Sequence, residues 1–264
     1  MLLRTPRMRS FWTMTGRFPH HIKMAGFRSY SPDLAGMSNR VVLSKFESHH
    51  LITAKRARKG DTVVAFNGQG LEWETLLEKE DRKEAILVQK DMRNYPKPSR
   101  QVNLAIALVK GKTFDLILRQ ATELGATEIQ PIETERTQIH IKDHEAKEEK
   151  WKAQLVEACK QSSNPWLPKI YGTVALSDYV NNNVNSSSIV ASLEDATIPW
   201  NELRFTENVT VFVGPEGDFS KAEYKSFREA GIQAVTLGRN VLRTETAVTT
   251  ILSRVLLMDL KSQD

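Results

Sequence analysis

Cysteine is almost missing from this chain: among 264 residues only Cys159 carries a thiol. An internal disulfide is excluded, and the usage fits a reducing compartment. Cys159 falls on an apolar helical face with Trp151, Leu155 and Ala158, so a small buried hydrophobe is expected there rather than a nucleophile. Long apolar runs are also missing. None approaches the roughly 18 residues of a membrane span, and no membrane association is expected. The GxGxxG and GxxxxGK(S/T) patterns do not occur, which removes the sequence grounds for a dinucleotide fold or a P-loop. HExxH is absent too. His140 and His144 stand four apart, but in a strongly charged stretch that reads as a solvated helix start. His49 and His50 are adjacent, so their side chains diverge, and no Cys or acidic partner stands at ligand spacing. No metal site is expected.

Acidic residues are scarce at one end. Residues 1–60 hold 12 Lys/Arg against two acids, Asp33 and Glu47, a balance of +10. The rest of the chain balances at −5, for a net charge of +5. A one-sided basic lobe suits a polyanion partner, and a solvated surface is the competing reading. Lys55, Arg56, Arg58 and Lys59 put four cations in five residues, compact enough to meet a phosphate backbone. Residues 1–23 carry five cations and no acid. That composition suits a disordered extension, an over-called start before Met24, or an organelle transit segment. A disordered extension on a cytoplasmic protein is the expectation, with targeting left open.

What is present has the composition of a soluble globular protein, 40% hydrophobic and 26% charged, at a length that can hold two domains. Residues 24–92 are β-rich. Strands are expected at 40–46, 61–67, 71–77 and 84–90, with a short helical piece at 47–58 and a tight turn at Asn67-Gly68. Several short strands in so few residues suggest a small barrel. Residues 93–101, with Pro96 and Pro98, read as a linker. From residue 102 strands alternate with helices. An apolar strand at 102–109, a helix with Phe114, Ile117, Leu118, Ala121 and Leu124 on one face, and a strand at 127–132 make a βαβ unit. An amphipathic helix at 151–160, a polar loop at 181–188 and a strand at 189–193 follow. The class is α/β with a mainly parallel sheet.

The chain is organised around residues 209–258. An apolar strand, 209–213, ends at Gly214-Pro215-Glu216-Gly217. A helix, 221–230, stops at Gly231, and a second strand, 232–237, ends at Gly238. An irregular segment, 239–243, leads to a long apolar helix from Thr244. Taken singly, each glycine reads as a turn or a stop. Two glycine-bearing loops at neighbouring strand ends mark the edge where open α/β sheets bind ligands. In the last helix Val248, Ile251, Leu252, Val255, Leu256, Leu257 and Met258 cover more than one face, which suits a twofold mate as second partner.

GPEG, then Leu237-Gly238, then Leu242-Arg243-Thr244-Glu245-Thr246-Ala247, at this spacing, resembles the C-terminal region of the SPOUT superfamily of RNA methyltransferases. Within it the resemblance is to the RsmE family, which methylates N3 of a uridine in small-subunit ribosomal RNA. His49-His50-Leu51, Arg56 and Gly60-Asp61 are similar to that family's N-terminal pattern. So are Lys110-Gly111, Glu123-Leu124-Gly125, Glu135-Arg136 and Gln161-Ser162 further on. Asp218 stands where glycine is usual, Asn164 where arginine is frequent, and Ala54-Lys55 where aliphatic residues are usual.

The resemblance implies a trefoil-knotted domain at 102–264, a PUA-like β-barrel at 24–92, S-adenosylmethionine (SAM) as donor, ribosomal RNA or the small subunit as substrate, and a homodimer. It implies donor contacts from Leu193, Gly214, Pro215, Glu216 and Gly217. Further donor contacts are implied from Leu237, Gly238, Val241, Leu242, Thr246 and Ala247. RNA contacts are implied from Arg28, Lys55, Arg56, Arg58, Lys59, Lys110 and Arg136. Uracil N3 must lose a proton, so Arg243, beside the positive end of a helix, is expected to favour the uridine anion, with Glu245 orienting it or taking the proton. A SPOUT enzyme for another base or RNA remains an alternative, as does a catalytically silent RNA-binding or ribosome-assembly factor.

Overall fold

Two sheets, each with its own apolar core, make up the computed structural model, which describes residues 26–34, 38–139, 141, 143–183, 187–194 and 197–257. The basic extension with Met24, His140, Met258 and the Leu257 side chain lie outside them.

The first sheet holds β1 (Arg28–Tyr30), β2 (Arg40–Val42), β3 (Thr62–Phe66), β4 (Leu71–Lys79) and β5 (Ile86–Asn94), in the order β1-β3-β4-β5-β2. Helix α1 (Lys45–His49) and a π-helical turn (His50–Ala54) cross between β2 and β3. Leu51 and Ile52 from that turn share one core with Val63, Trp73, Leu77 and Leu87 of the strands. The strand expected at 40–46 stops at Val42 instead. Ser44 is the reason: its hydroxyl accepts the Glu47 N–H at 3.2 Å and starts α1, an N-cap that the preceding apolar run hides. Strand β5 outlasts its expected end at 90. Its last residues are exposed, so backbone pairing to β4, with Asn94 opposite Leu71, extends it without any apolar alternation.

The second sheet begins with β6 (Gln101–Ala107), α2 (Gly111–Leu124) and β7 (Glu128–Glu133). Gly125 ends α2 in the left-handed region at φ 96°. Helix α3 (His144–Ser162) starts on the Asp143 side chain, which accepts the Ala146 N–H at 3.0 Å. Then come β8 (Lys169–Ile170), β9 (Val174–Ala175), α4 (Leu176–Asn183), β10 (Ser188–Ala191), β11 (Asn208–Val213), α5 (Lys221–Glu229), β12 (Gln233–Val235) and α6 (Thr244–Leu257). Residues 181–183, expected in a polar loop, close α4, whose Leu176, Tyr179 and Val180 are buried.

The strand order is β12-β10-β11-β6-β7-β8, with β9 also on β7, and every pair is parallel. Along β6, Leu104 and Ile106 face α2, α3 and α6, while Ala105 and Ala107 face α4 and α5. A strand covered on both faces reads as an unbroken apolar run, as this one does. In α6, Val248, Ile251, Leu252 and Val255 are fully buried in the chain's own core. Those four positions therefore need no second copy to cover them, which removes them as grounds for a dimer.

The two units meet along a backbone seam. The Leu167 N–H donates to the Gly68 carbonyl at 2.9 Å, and the Gly70 N–H to Pro165 at 3.1 Å. Gly70 has φ +88°, and a Cβ there would overlap the Trp166 ring. The Asn67–Gly70 turn therefore takes glycine for close approach as well as for curvature. Cys159 is buried beside this seam, and burial pushes its thiol up to about 12, so it stays an uncharged packing residue.

Candidate active site

Three parallel strands, β10, β11 and β12, end on one edge, with β10 in the middle. Their register sets the loops level: Val190 is opposite Phe212 on one side, and Ala191 opposite Val235 on the other. The segments that leave these ends frame a cleft open to solvent. Ala191, Ser192 and Leu193 form one wall, and Val213, Gly214, Pro215, Glu216 and Asp218 a second. Thr236, Leu237 and Gly238 with Asn240, Val241 and Leu242 form the third, and Thr244 and Ala247 of α6 close it. A cleft at the carboxyl ends of parallel strands suits a small ligand. Its mouth leaves large apolar side chains in solvent: Leu193 is 56% exposed and Val241 76%.

The floor is polar and tightly tied. Asp218 sits at φ +61°, and both its carboxylate oxygens face the Tyr224 hydroxyl, at 2.9 and 3.0 Å. Burial pushes the Tyr224 phenol well above its ordinary value, and the Asp218 charge adds to the shift, so the hydroxyl stays a donor. Glu223 closes a capping box with Ser220 at the start of α5. The same carboxylate accepts the Glu135 N–H at 2.8 Å. That contact draws the loop after β7 over the loop after β11, where the Arg136 guanidinium donates to the Gly217 carbonyl. A second, wider cleft opens there between Lys110, Glu135, Arg136, Thr137 and Gly217. It shares Pro215 and Glu216 with the first.

Comparison with known proteins fits this geometry. Residues 96–256 match the family model for the RNA methyltransferase domain, and residues 45–90 the model for the RNA methyltransferase PUA domain. The ribosomal RNA small subunit methyltransferase E of Aquifex aeolicus is 32% identical over 225 residues, covering 85% of this chain and 96% of that one. The protein of the same name from a Synechocystis strain is 31% identical over 81% of this chain and 72% of its own length. The chain belongs to the ribosomal RNA small subunit methyltransferase E family. A solved structure from Legionella pneumophila, assigned as a methyltransferase and in complex with bound cofactor SAM, superposes with a TM-score of 0.82. It is 26% identical, over 88% of this chain and 96% of that one.

In this family member most residues expected at the donor site come together. Leu193, Gly214, Pro215, Glu216, Leu237, Gly238, Val241, Leu242 and Ala247 all line the first cleft. Gly217 lies on the second cleft instead, and Thr246 is exposed on the outer side of α6. Sequence reasoning missed Ala191, Ser192, Val213, Thr236, Asn240 and Thr244, which line the cleft because three strand ends converge. Asp218 did carry a signal, as a side chain in place of glycine. Gly214 is constrained by packing, since a Cβ there would meet the Phe219 ring at 3.2 Å.

Arg243 is exposed, one residue before α6, and no hydrogen bond or ion pair holds its guanidinium among the described residues. Glu245, in the first turn, is half-buried and forms no ion pair with Arg243 there. Neither lines the first cleft. Of the residues expected to meet RNA, Lys110 and Arg136 share the second cleft. Lys55, Arg56 and Lys59 are exposed. Arg58 is engaged by Glu80 at 2.6 Å. Arg28 pairs with Glu72 at 2.5 Å and lies over the Phe66 ring, on a pocket that it lines together with Lys55.

Proposed function

We propose that this chain methylates N3 of a uridine in small-subunit ribosomal RNA, with SAM as donor. The observation that carries the reading is the pair of adjoining clefts: a small one with apolar walls and two carboxylates, exposed Glu216 and half-buried Asp218, and a larger one flanked by Lys110 and Arg136. The first fits SAM. Leu193, Val241, Leu242 and Ala247 offer apolar surface to a flat heteroaromatic ring, strand-end backbone offers hydrogen bonds, and Asp218 offers a negative charge to a cation. The Legionella pneumophila protein of the same fold holds SAM. Bound there, SAM supplies an electrophilic methyl group on a sulfonium sulfur.

The chain's own residues have two tasks. One is positioning, with the target base held over the edge shared at Pro215 and Glu216 and the RNA phosphates near Lys110 and Arg136. The other is ionisation. Uracil N3 gives up its proton, and Arg243, at the positive end of α6, stabilises the anion that forms. Glu245, two residues on in the first turn of α6, orients Arg243 or accepts that proton in this reading.

In this reading the five-stranded unit grips RNA, the parallel-sheet unit holds donor and base, and residues 95–100 join the two domains. A trefoil knot is supported by the path of the chain. Strand β12 returns beside β10, on the far side from β11, and residues 236–243 then lead back to α6, packed on β11 and α2. A homodimer belongs to this reading as what the family resemblance implies. The working compartment is the one in which small subunits assemble, the cytoplasm in a bacterium. Among the described residues no helix is long and apolar enough to cross a membrane.

The test is direct. The purified chain is incubated with labelled SAM and either naked small-subunit RNA or assembled subunits, and nuclease digests are read by mass spectrometry. One N3-methyluridine, missing from the RNA of a deletion strain and restored by the gene, is the expected result. Label on another base, or none, overturns it.

A further inference from the structure

Asp218 holds a left-handed backbone of the kind glycine favours, at φ +61°. Aspartate and asparagine tolerate that region better than other side chains. The carboxylate lines the first cleft and is held from beneath by the Tyr224 hydroxyl. Tyr224 itself is 4% exposed and wedged edge-on against Phe219 and Phe227, so the hydroxyl that fixes the carboxylate has little freedom. One hydroxyl satisfies a fraction of a carboxylate's acceptor capacity. Among the described residues no cation pairs with Asp218. A fixed, unpaired negative charge therefore stands on the wall of a narrow cleft.

On the reading that this cleft binds SAM, we propose that Asp218 is a specificity-determining residue that makes the cleft prefer the cationic donor over its uncharged product. Methyl transfer breaks the S–CH3 bond with the electron pair left on sulfur, and the methyl carbon bonds the acceptor nitrogen, which has lost its proton. The sulfonium becomes a neutral thioether. The ligand's net charge falls from +1 to zero while its adenosine, amine and carboxylate groups are unchanged. A carboxylate in the wall is attracted to the first ligand and much less to the second. With an effective dielectric constant of about 40, one unit charge about 6 Å away corresponds to about a tenfold preference. The consequence is exchange: spent product is held less firmly than fresh donor.

Calorimetry on the full chain tests this with SAM and S-adenosylhomocysteine as the two probes. Asp218→Asn keeps an acceptor for Tyr224 and a side chain that tolerates positive φ, and removes only the charge. Asp218→Gly is the second variant, since glycine suits the backbone there. The expected result is about a tenfold loss of SAM affinity in both variants with the product's affinity hardly changed. The melting temperature should stay near that of the parent chain in Asp218→Asn, whereas Asp218→Gly removes the acceptor of the buried Tyr224 hydroxyl and should melt a few degrees lower. An unchanged ratio of the two affinities overturns the proposal, whether both fall together or neither moves. A parent chain that binds neither ligand overturns the donor reading itself, and this inference with it.

Discussion

Lys160 Nζ lies 2.6 Å from the Glu47 carboxylate, and both side chains are less than a tenth exposed. The lysine belongs to α3 of the parallel-sheet unit and the glutamate to α1 of the five-stranded unit, so the pair spans the seam between them. Glu47 also accepts the Tyr30 N–H at 3.1 Å, and Lys160 lies 2.8 Å from Glu157. Removing one partner strands the other charge. Lys160→Met should therefore cost about 3 kcal/mol in urea unfolding. The double variant with Glu47→Gln should cost less than the sum of the two single changes, because it leaves no stranded ion. Additive losses would mean that the two residues do not act as a pair.

Two cations of the proposed RNA face already have carboxylate partners: Arg28 pairs with Glu72 and Arg58 with Glu80. Replacing Lys55, Arg56 and Lys59 together by Ala should weaken RNA binding and reduce the salt slope by about 0.7 for each phosphate no longer neutralised, the value for single strands. SAM affinity should hold. A filter-binding series over salt concentration reads this, and an unaltered slope would move the RNA face away from the five-stranded unit.

The first cleft calls for a probe that leaves the fold alone. Gly214→Val is a poor one, since its side chain would press on the Phe219 ring, with an overpacking cost of about 1–3 kcal/mol. Leu193 is exposed at the mouth, so Leu193→Asn should shift stability by less than about 0.5 kcal/mol. If apolar surface there covers the donor, SAM affinity should still fall several-fold by calorimetry. Undiminished affinity would place the donor deeper, against Ala247 and Leu242.

Much of the site was legible because local chemistry and global fold agree. Val209–Val213 followed by GPEG, and a strand stopping at Gly238, announce two loops at one sheet edge from composition alone. Long-range pairing was not legible. Nothing near Arg28 announces that Glu72, 44 positions on, will pair with it, and nothing near Arg136 points to the Gly217 carbonyl. Thr236, Asn240 and Ser192 line the cleft through where their strands end, not through any chemistry that a linear reading weighs. At Ser44 the Ser-Lys-Phe-Glu capping signal follows directly on an apolar run, and that run masks it as the end of a strand.

Arg243 separates chemistry from binding. Its guanidinium is exposed and unheld among the described residues, so it contributes little to the fold. Arg243→Lys keeps the charge and loses the planar fork that fixes it over a base. The melting temperature should stay within a degree or two, since surface changes away from caps and cores cost about 0.5 kcal/mol or less. SAM and RNA affinities should be nearly preserved. If Arg243 stabilises the uridine anion, single-turnover methyl transfer with both substrates saturating should fall roughly 10²-fold, the scale for one preorganised electrostatic donor. The sign of the pH effect follows from the proton on N3. Raising the pH ionises the uridine without help, so the variant's rate should climb with pH more steeply than the parent's and close part of the gap. A structural role would show the opposite pattern: a lower melting temperature, weaker donor binding and no recovery in alkali. A stable variant with the parental rate would take Arg243 out of the mechanism and leave proton removal to Glu245, another group or water.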